Sequence, residues 1–124
     1  MKNELTDILS LIAATVFADK RIFASEIDEF IKSTNKLNII RHFEPKMSEA
    51  RLLAWFEMNK DDIRGKLATP YFKDWFYDVL ERLKDVPEKE SIIEVMHKVS
   101  KADGDIHVSE RALIVLSENY WNTP

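Results

Sequence analysis

A chain of 124 residues holds one ordinary core and leaves no length for a second. Apolar residues at 45% and charged residues at 32% exclude wholesale disorder, and the lack of cysteine excludes disulfides, thiolate metal sites and thiol nucleophiles. Eighteen Lys and Arg against 22 Asp and Glu leave a formal charge of −4, opposite in sign to the basic surplus of a phosphate-binding protein.

Helical periodicity runs along nearly the whole chain. Leu5, Ile8, Leu9, Ile12 and Val16 recur at i, i+3, i+4 and i+7, which predicts an amphipathic helix over 4–18. Its uncharged stretch, Ile8 to Ala18, is about half of the ~20 residues that cross a bilayer. Glu4 and Asp7 outweigh Lys2 ahead of that stretch, unlike the basic start of a signal peptide. The expectation is a cytoplasmic protein without membrane insertion.

A loop from Asp19 to Ala24 leads to a second helix with the stripe Ile27, Phe30, Ile31 and Thr34. Leu37, Ile40 and Phe43 predict a short third helix that Pro45 stops. Ser48 reads as the N-cap of a fourth, carrying Leu52, Trp55 and Phe56. Asp61 and Asp62 then read as opening a separate short segment with Ile63 and Leu67, where Gly65 suggests a close backbone contact. Thr69-Pro70 reads as an N-cap followed by proline at the first helical position. Phe72, Trp75, Phe76, Val79, Leu80 and Leu83 form the stripe that follows.

Asp85 to Glu88 restarts the chain, and Ile92, Val95, Met96 and Val99 mark the sixth helix. A last helix is expected from about Val108 to Tyr120. Its run from Ala112 to Leu116 is apolar on every side, which places that helix centrally. Two glycines and four prolines leave little turn material, and no alternating strand pattern exceeds three residues. The reading is all-α, a single domain over 1–124 with seven helices, two of them short.

Several chemistries fail on residue count or placement. The aromatics Trp55, Phe56, Tyr71, Phe72, Trp75, Phe76 and Tyr77 follow helical spacing, with Lys73 on the polar side, so they read as core filling rather than as a base-stacking platform. Tyr71 and Tyr77 are the ones that could belong to a partner surface. Glu94 and His97 form one Glu-x-x-His pair, whereas a di-iron bundle needs two such pairs and two more Glu. The basic residues Lys32, Lys36, Arg41, Lys46 and Arg51 are interrupted by Glu44 and Glu49, as on a solvated face. No phosphate loop can be built from Gly65 and Gly104 alone. No nucleic-acid partner is expected.

One internal repeat stands out. Residues 18–26 read Ala-Asp-Lys-Arg-Ile-Phe-Ala-Ser-Glu and residues 102–110 read Ala-Asp-Gly-Asp-Ile-His-Val-Ser-Glu, with five of nine positions identical. Each copy lies where one predicted helix ends and the next begins, which suggests two helical hairpins related by a pseudo-twofold. Gly104 suits a left-handed helix terminus, Ile22 and Ile106 suit plugs onto the core, and Glu26 and Glu110 suit the first turn of the next helix. Caps and loop anchors therefore account for the pattern on their own. An EF-hand does not, because aligning Gly104, Ile106 and Glu110 puts Val99 and Lys101 at the first two ligand positions.

The Ala-Asp-Gly-acidic-Ile pattern with its following Glu resembles the tellurite-resistance TerB-like family. That resemblance implies a compact all-helical domain with an Asp-Gly-acidic loop and a following Glu at each of two junctions. It implies a non-enzymatic module for protein interaction or cation response, linked to tellurite and stress resistance, with an unidentified protein partner. The candidate metal ligands it carries over are Asp19, Glu26, Asp103, Asp105 and Glu110.

The C-terminal copy keeps the family pattern. In the N-terminal copy Lys20 and Arg21 replace the Gly and the acidic residue; Phe23 there, and His107 in the C-terminal copy, stand where a small hydroxyl residue is usual. The implied calcium or magnesium site is therefore weak, with Arg21 standing in for the ion, and no other cofactor is implied. Two rival readings are a metal-dependent hydrolase, with the junction carboxylates as ligands and His107 as base, and a purely structural domain.

If both junctions share a backbone conformation, Lys20 occupies the left-handed position that Gly104 fills without strain, at a cost of roughly 1–2 kcal/mol. Lys20→Gly is then neutral or stabilising and Gly104→Lys destabilising. Thermal melting of the two variants checks this, and a clear fall for Lys20→Gly would show that the two backbones differ.

Overall fold

A computed structural model describes residues 2–18, 24–43, 46–102 and 108–122. Among the described residues there are seven α-helices and no strand, in the order α1 (Lys2–Phe17), α2 (Ala24–Asn35), α3 (Asn38–Arg41), α4 (Glu49–Leu67), α5 (Phe72–Arg82), α6 (Lys89–Ser100) and α7 (Val108–Trp121). The all-α expectation and the count of seven hold. None of these helices is long and apolar enough to cross a membrane.

The central helix is α1. Ile8, Leu9 and every residue from Leu11 to Val16 have no exposed surface, and α1 touches α2, α4, α5, α6 and α7. A helix apolar on every side belongs inside, and the Ala13-Ala14 pair lets neighbours come close. The Thr15 hydroxyl is buried there and donates back to the Ile12 carbonyl, so it needs no outside partner.

This corrects the expected central position of α7. Its run from Ala112 to Leu116 turns only Leu113 and Ile114 fully inward, whereas Ala112 and Val115 are exposed. Five apolar residues span more than one helical turn, so some must face outward wherever only one side is covered.

Ser48 caps α4 as expected, accepting a hydrogen bond from the Arg51 N–H at 3.2 Å. The helix does not stop at Asp61-Asp62. Those residues face solvent while Ile63 continues the inward stripe of Leu52 and Phe56, so α4 runs on to Leu67. Gly65 marks no close contact, because a Cβ built there would meet nothing within 4 Å.

The Thr69-Pro70 signal also reads differently. The Thr69 hydroxyl donates to the Lys66 carbonyl at 3.0 Å, and the Phe72 N–H bonds back to the Thr69 carbonyl at 3.3 Å. With Tyr71 at φ −101° and ψ 17°, this is a type I turn with proline at its second position, and α5 starts only at Phe72. Pro45 lies outside the described residues.

The aromatic series mostly fills the core. Phe56 stacks on Phe17 at 5.2 Å and packs against Phe30 at 5.3 Å, and Phe76 is fully buried. Tyr71 is 71% exposed, and Tyr77 lies beside Tyr120 of α7 at 5.5 Å. The Trp121 indole N–H donates to the Leu80 carbonyl at 3.0 Å, which ties the end of α7 to α5. Glu88, at φ 68°, precedes α6 and accepts from the Asn38 N–H at 3.3 Å, joining that turn to the start of α3.

One long-range ion pair fixes the N-terminal half of α1. Asp7 is buried, and the Arg82 guanidinium grips it with both arms, Nε to Oδ2 at 2.8 Å and Nη2 to Oδ1 at 2.9 Å. Those hydrogen bonds hold Arg82 above its ordinary pKa, against the opposing effect of burial. Arg82→Met leaves the Asp7 carboxylate without its fork. With Arg82 half exposed, solvent screening limits the expected loss to about 1–2 kcal/mol in urea unfolding. Arg82→Lys keeps the charge without the planar fork and recovers only part of it.

Candidate functional site

The two hairpins of the repeat are α1–α2 and α6–α7. They interlock, with α6 against both α1 and α2 and α7 against α1. Among the described residues, corresponding positions of the two copies have the same burial. Ala18 and Ala102 are half-buried just after α1 and α6, Ser25 and Ser109 are exposed, and Glu26 and Glu110 have no exposed surface. The next helix begins at equivalent positions, Ala24 and Val108. The three identical pairs among the described residues therefore match in burial, as a structural repeat requires.

Of the five candidate metal ligands, the described residues include Glu26 and Glu110. Both lie in the first turn of their helices, α2 and α7, as their spacing predicts. Unsatisfied N–H groups and the helix dipole favour a carboxylate at that place. Asp19, Asp103 and Asp105 lie outside the described residues, as do Lys20, Arg21, Ile22, Phe23, Gly104, Ile106 and His107. Among the described residues no three His, Cys, Asp or Glu side chains come together in a way that could hold a metal ion.

The remaining polar candidates are surface groups. His97 is partly exposed, with Nε2 3.7 Å from a Glu118 carboxylate oxygen of α7. Glu94 faces solvent and pairs with Lys98 at 3.4 Å. Lys32, Lys36, Arg41, Lys46 and Arg51 are all exposed, as on a solvated face.

One feature was not read from the sequence. An apolar groove of about 600 Å³ lies between the end of α4, the start of α5 and the outer side of α7. Its signal was present in the Ala112–Leu116 run, since an apolar stretch longer than a helix can bury on one face leaves a ridge outside.

An all-helical domain built from two interlocked hairpins with a repeated junction is the class of protein that this geometry defines. The family model of the tellurite resistance protein TerB matches residues 5–118, and the chain belongs to that family. The family is generally non-enzymatic and associates the domain with tellurite resistance. No curated protein and no solved structure matches the chain.

Complete burial of a carboxylate in each hairpin makes a stability test direct. Glu26→Ala and Glu110→Ala should each lower the unfolding free energy by about 1–3 kcal/mol, because the groups around each carboxylate lose a buried partner. Asp28→Ala, at an exposed position of α2, should stay within about 0.5 kcal/mol of the wild type. Urea denaturation of the three variants measures the contrast.

Proposed function

We propose that the chain is a non-enzymatic module of tellurite and stress resistance, a cytoplasmic domain for protein interaction or for cation response. The observation that carries this reading is the matched, complete burial of Glu26 and Glu110. Carboxylates are rarely buried unless something in the fold holds them. Here one stands at the same place in each of two hairpins.

The other three acidic residues of the pattern, Asp19, Asp103 and Asp105, belong to the junctions those glutamates border. Five carboxylates drawn to one place repel unless a cation sits among them. In this chain the N-terminal junction carries its own cations, Lys20 and Arg21. Arg21 has the planar fork that suits a carboxylate, and its role in this proposal is to neutralise Asp103 and Asp105 in place of an ion. Such a guanidinium occupies the oxygens that a calcium or magnesium ion would need, six or more of them, and repels the ion.

The wild type should therefore bind calcium or magnesium weakly or not at all. Converting Lys20-Arg21 to Gly-Asp should create a site, seen as a Tm that rises with added calcium. A ligand present at 100 times its Kd adds about 2.7 kcal/mol, well within detection. Tight calcium binding by the wild type, or no gain in the double variant, would overturn the substitution of Arg21 for the ion.

A further inference from the structure

We propose that the groove between α4, α5 and α7 binds a small organic anion with an aliphatic or aromatic body. This is a site separate from the junction carboxylates. Ala18, Leu67, Phe72, Leu113 and Leu116 line the groove, and Val108 and Val115 of α7 stand 87% and 44% exposed at it. Its volume, about 600 Å³, lies within the 300–1,000 Å³ range of small-molecule sites. At about 30 Å³ for each water-sized body, it takes a single-chain anion of roughly ten to fifteen non-hydrogen atoms and leaves water at the open side.

Charge selects the sign of the ligand. The charged residues lining the groove are Lys73 of α5 and Arg111 of α7, with no acidic residue among the described lining. Neither cation is ion-paired among the described residues, although the chain as a whole carries a formal charge of −4. Glu118, which shares an adjoining cavity with Arg111, faces His97. A second adjoining cavity, lined by Phe17, Ala18 and Leu67, has Arg64 as its charged residue. Two cations without an ion pair among the described residues, beside an apolar floor, match an amphiphile with a carboxylate, phosphate or sulfonate head. A partner helix about 10 Å across would lie over such a groove rather than in it.

The test uses intact protein and decanoate below its micelle concentration, followed by amide chemical shifts. Saturable shifts confined to Leu67, Phe72, Lys73 and the 108–116 stretch are expected. Lys73→Glu with Arg111→Glu should weaken decanoate at least about tenfold and favour decyltrimethylammonium instead. Val115→Asp, at an exposed position, should abolish the decanoate response with helical circular dichroism unchanged. Shifts that scatter without saturating, or an affinity indifferent to the charge reversal, would overturn the proposal. So would concentration-dependent self-association mapping to the same amides, which gives the groove to a second copy. Binding there of a Glu/Leu amphipathic peptide without any response to decanoate would overturn it equally, in favour of a protein partner.

Discussion

Burial of α1 is the constraint on which the rest of the structure depends. Each fully buried Ile or Leu of that helix contributes roughly 1.5–3 kcal/mol when removed from water, and the gain falls in proportion to any apolar surface left open. Covering it on every side takes α2, α4, α5, α6 and α7 together. The length of α4 follows from this. Its inward stripe continues through Ile63, and the packing of Phe56 on Phe17 outweighs a glycine penalty of about 1 kcal/mol at Gly65.

The same constraint explains where polar groups are admitted. Thr15, Ser100 and Ser117 enter the interior by donating to carbonyls of their own helices, so none needs a partner from another element. Asp7 enters at the near end of α1 because Arg82 meets both of its oxygens. Glu26 and Glu110 are wholly buried at the corresponding place of each hairpin. An interior arranged around an apolar helix tolerates a carboxylate most readily at a helix N-terminus, where N–H groups already face outward from the turn.

Helix existence was legible because the apolar period is local, and the Ser48 cap was legible because its hydrogen bond spans only three residues. Helix boundaries were less so. Thr69-Pro70 satisfies two rules at once, proline at the start of a helix and proline inside a type I turn, and the Phe72 N–H bond to the Thr69 carbonyl with the Thr69 hydroxyl bond back to Lys66 decides between them. Asp61-Asp62 resembles a helix start until Ile63 is seen to continue an inward face. Centrality was not legible at all. The runs Leu11–Val16 and Ala112–Leu116 are both apolar on every side, and the difference lies in how many neighbours each acquires, which is a property of the whole chain. The first-turn positions of Glu26 and Glu110 were legible from spacing alone.

The unburied side of α7 ties the two halves of the functional reading together. Ala18 lines the groove and immediately precedes the N-terminal junction, while Val108 lines it and immediately follows the C-terminal one. Glu110, buried in the first turn of α7, lies one residue from Arg111 at the groove, so adjacent residues of one helix turn face the interior and the ligand side. At about 3.6 residues per turn, adjacent residues point roughly 100° apart, so a single helical turn carries a carboxylate into the core and a guanidinium to the groove.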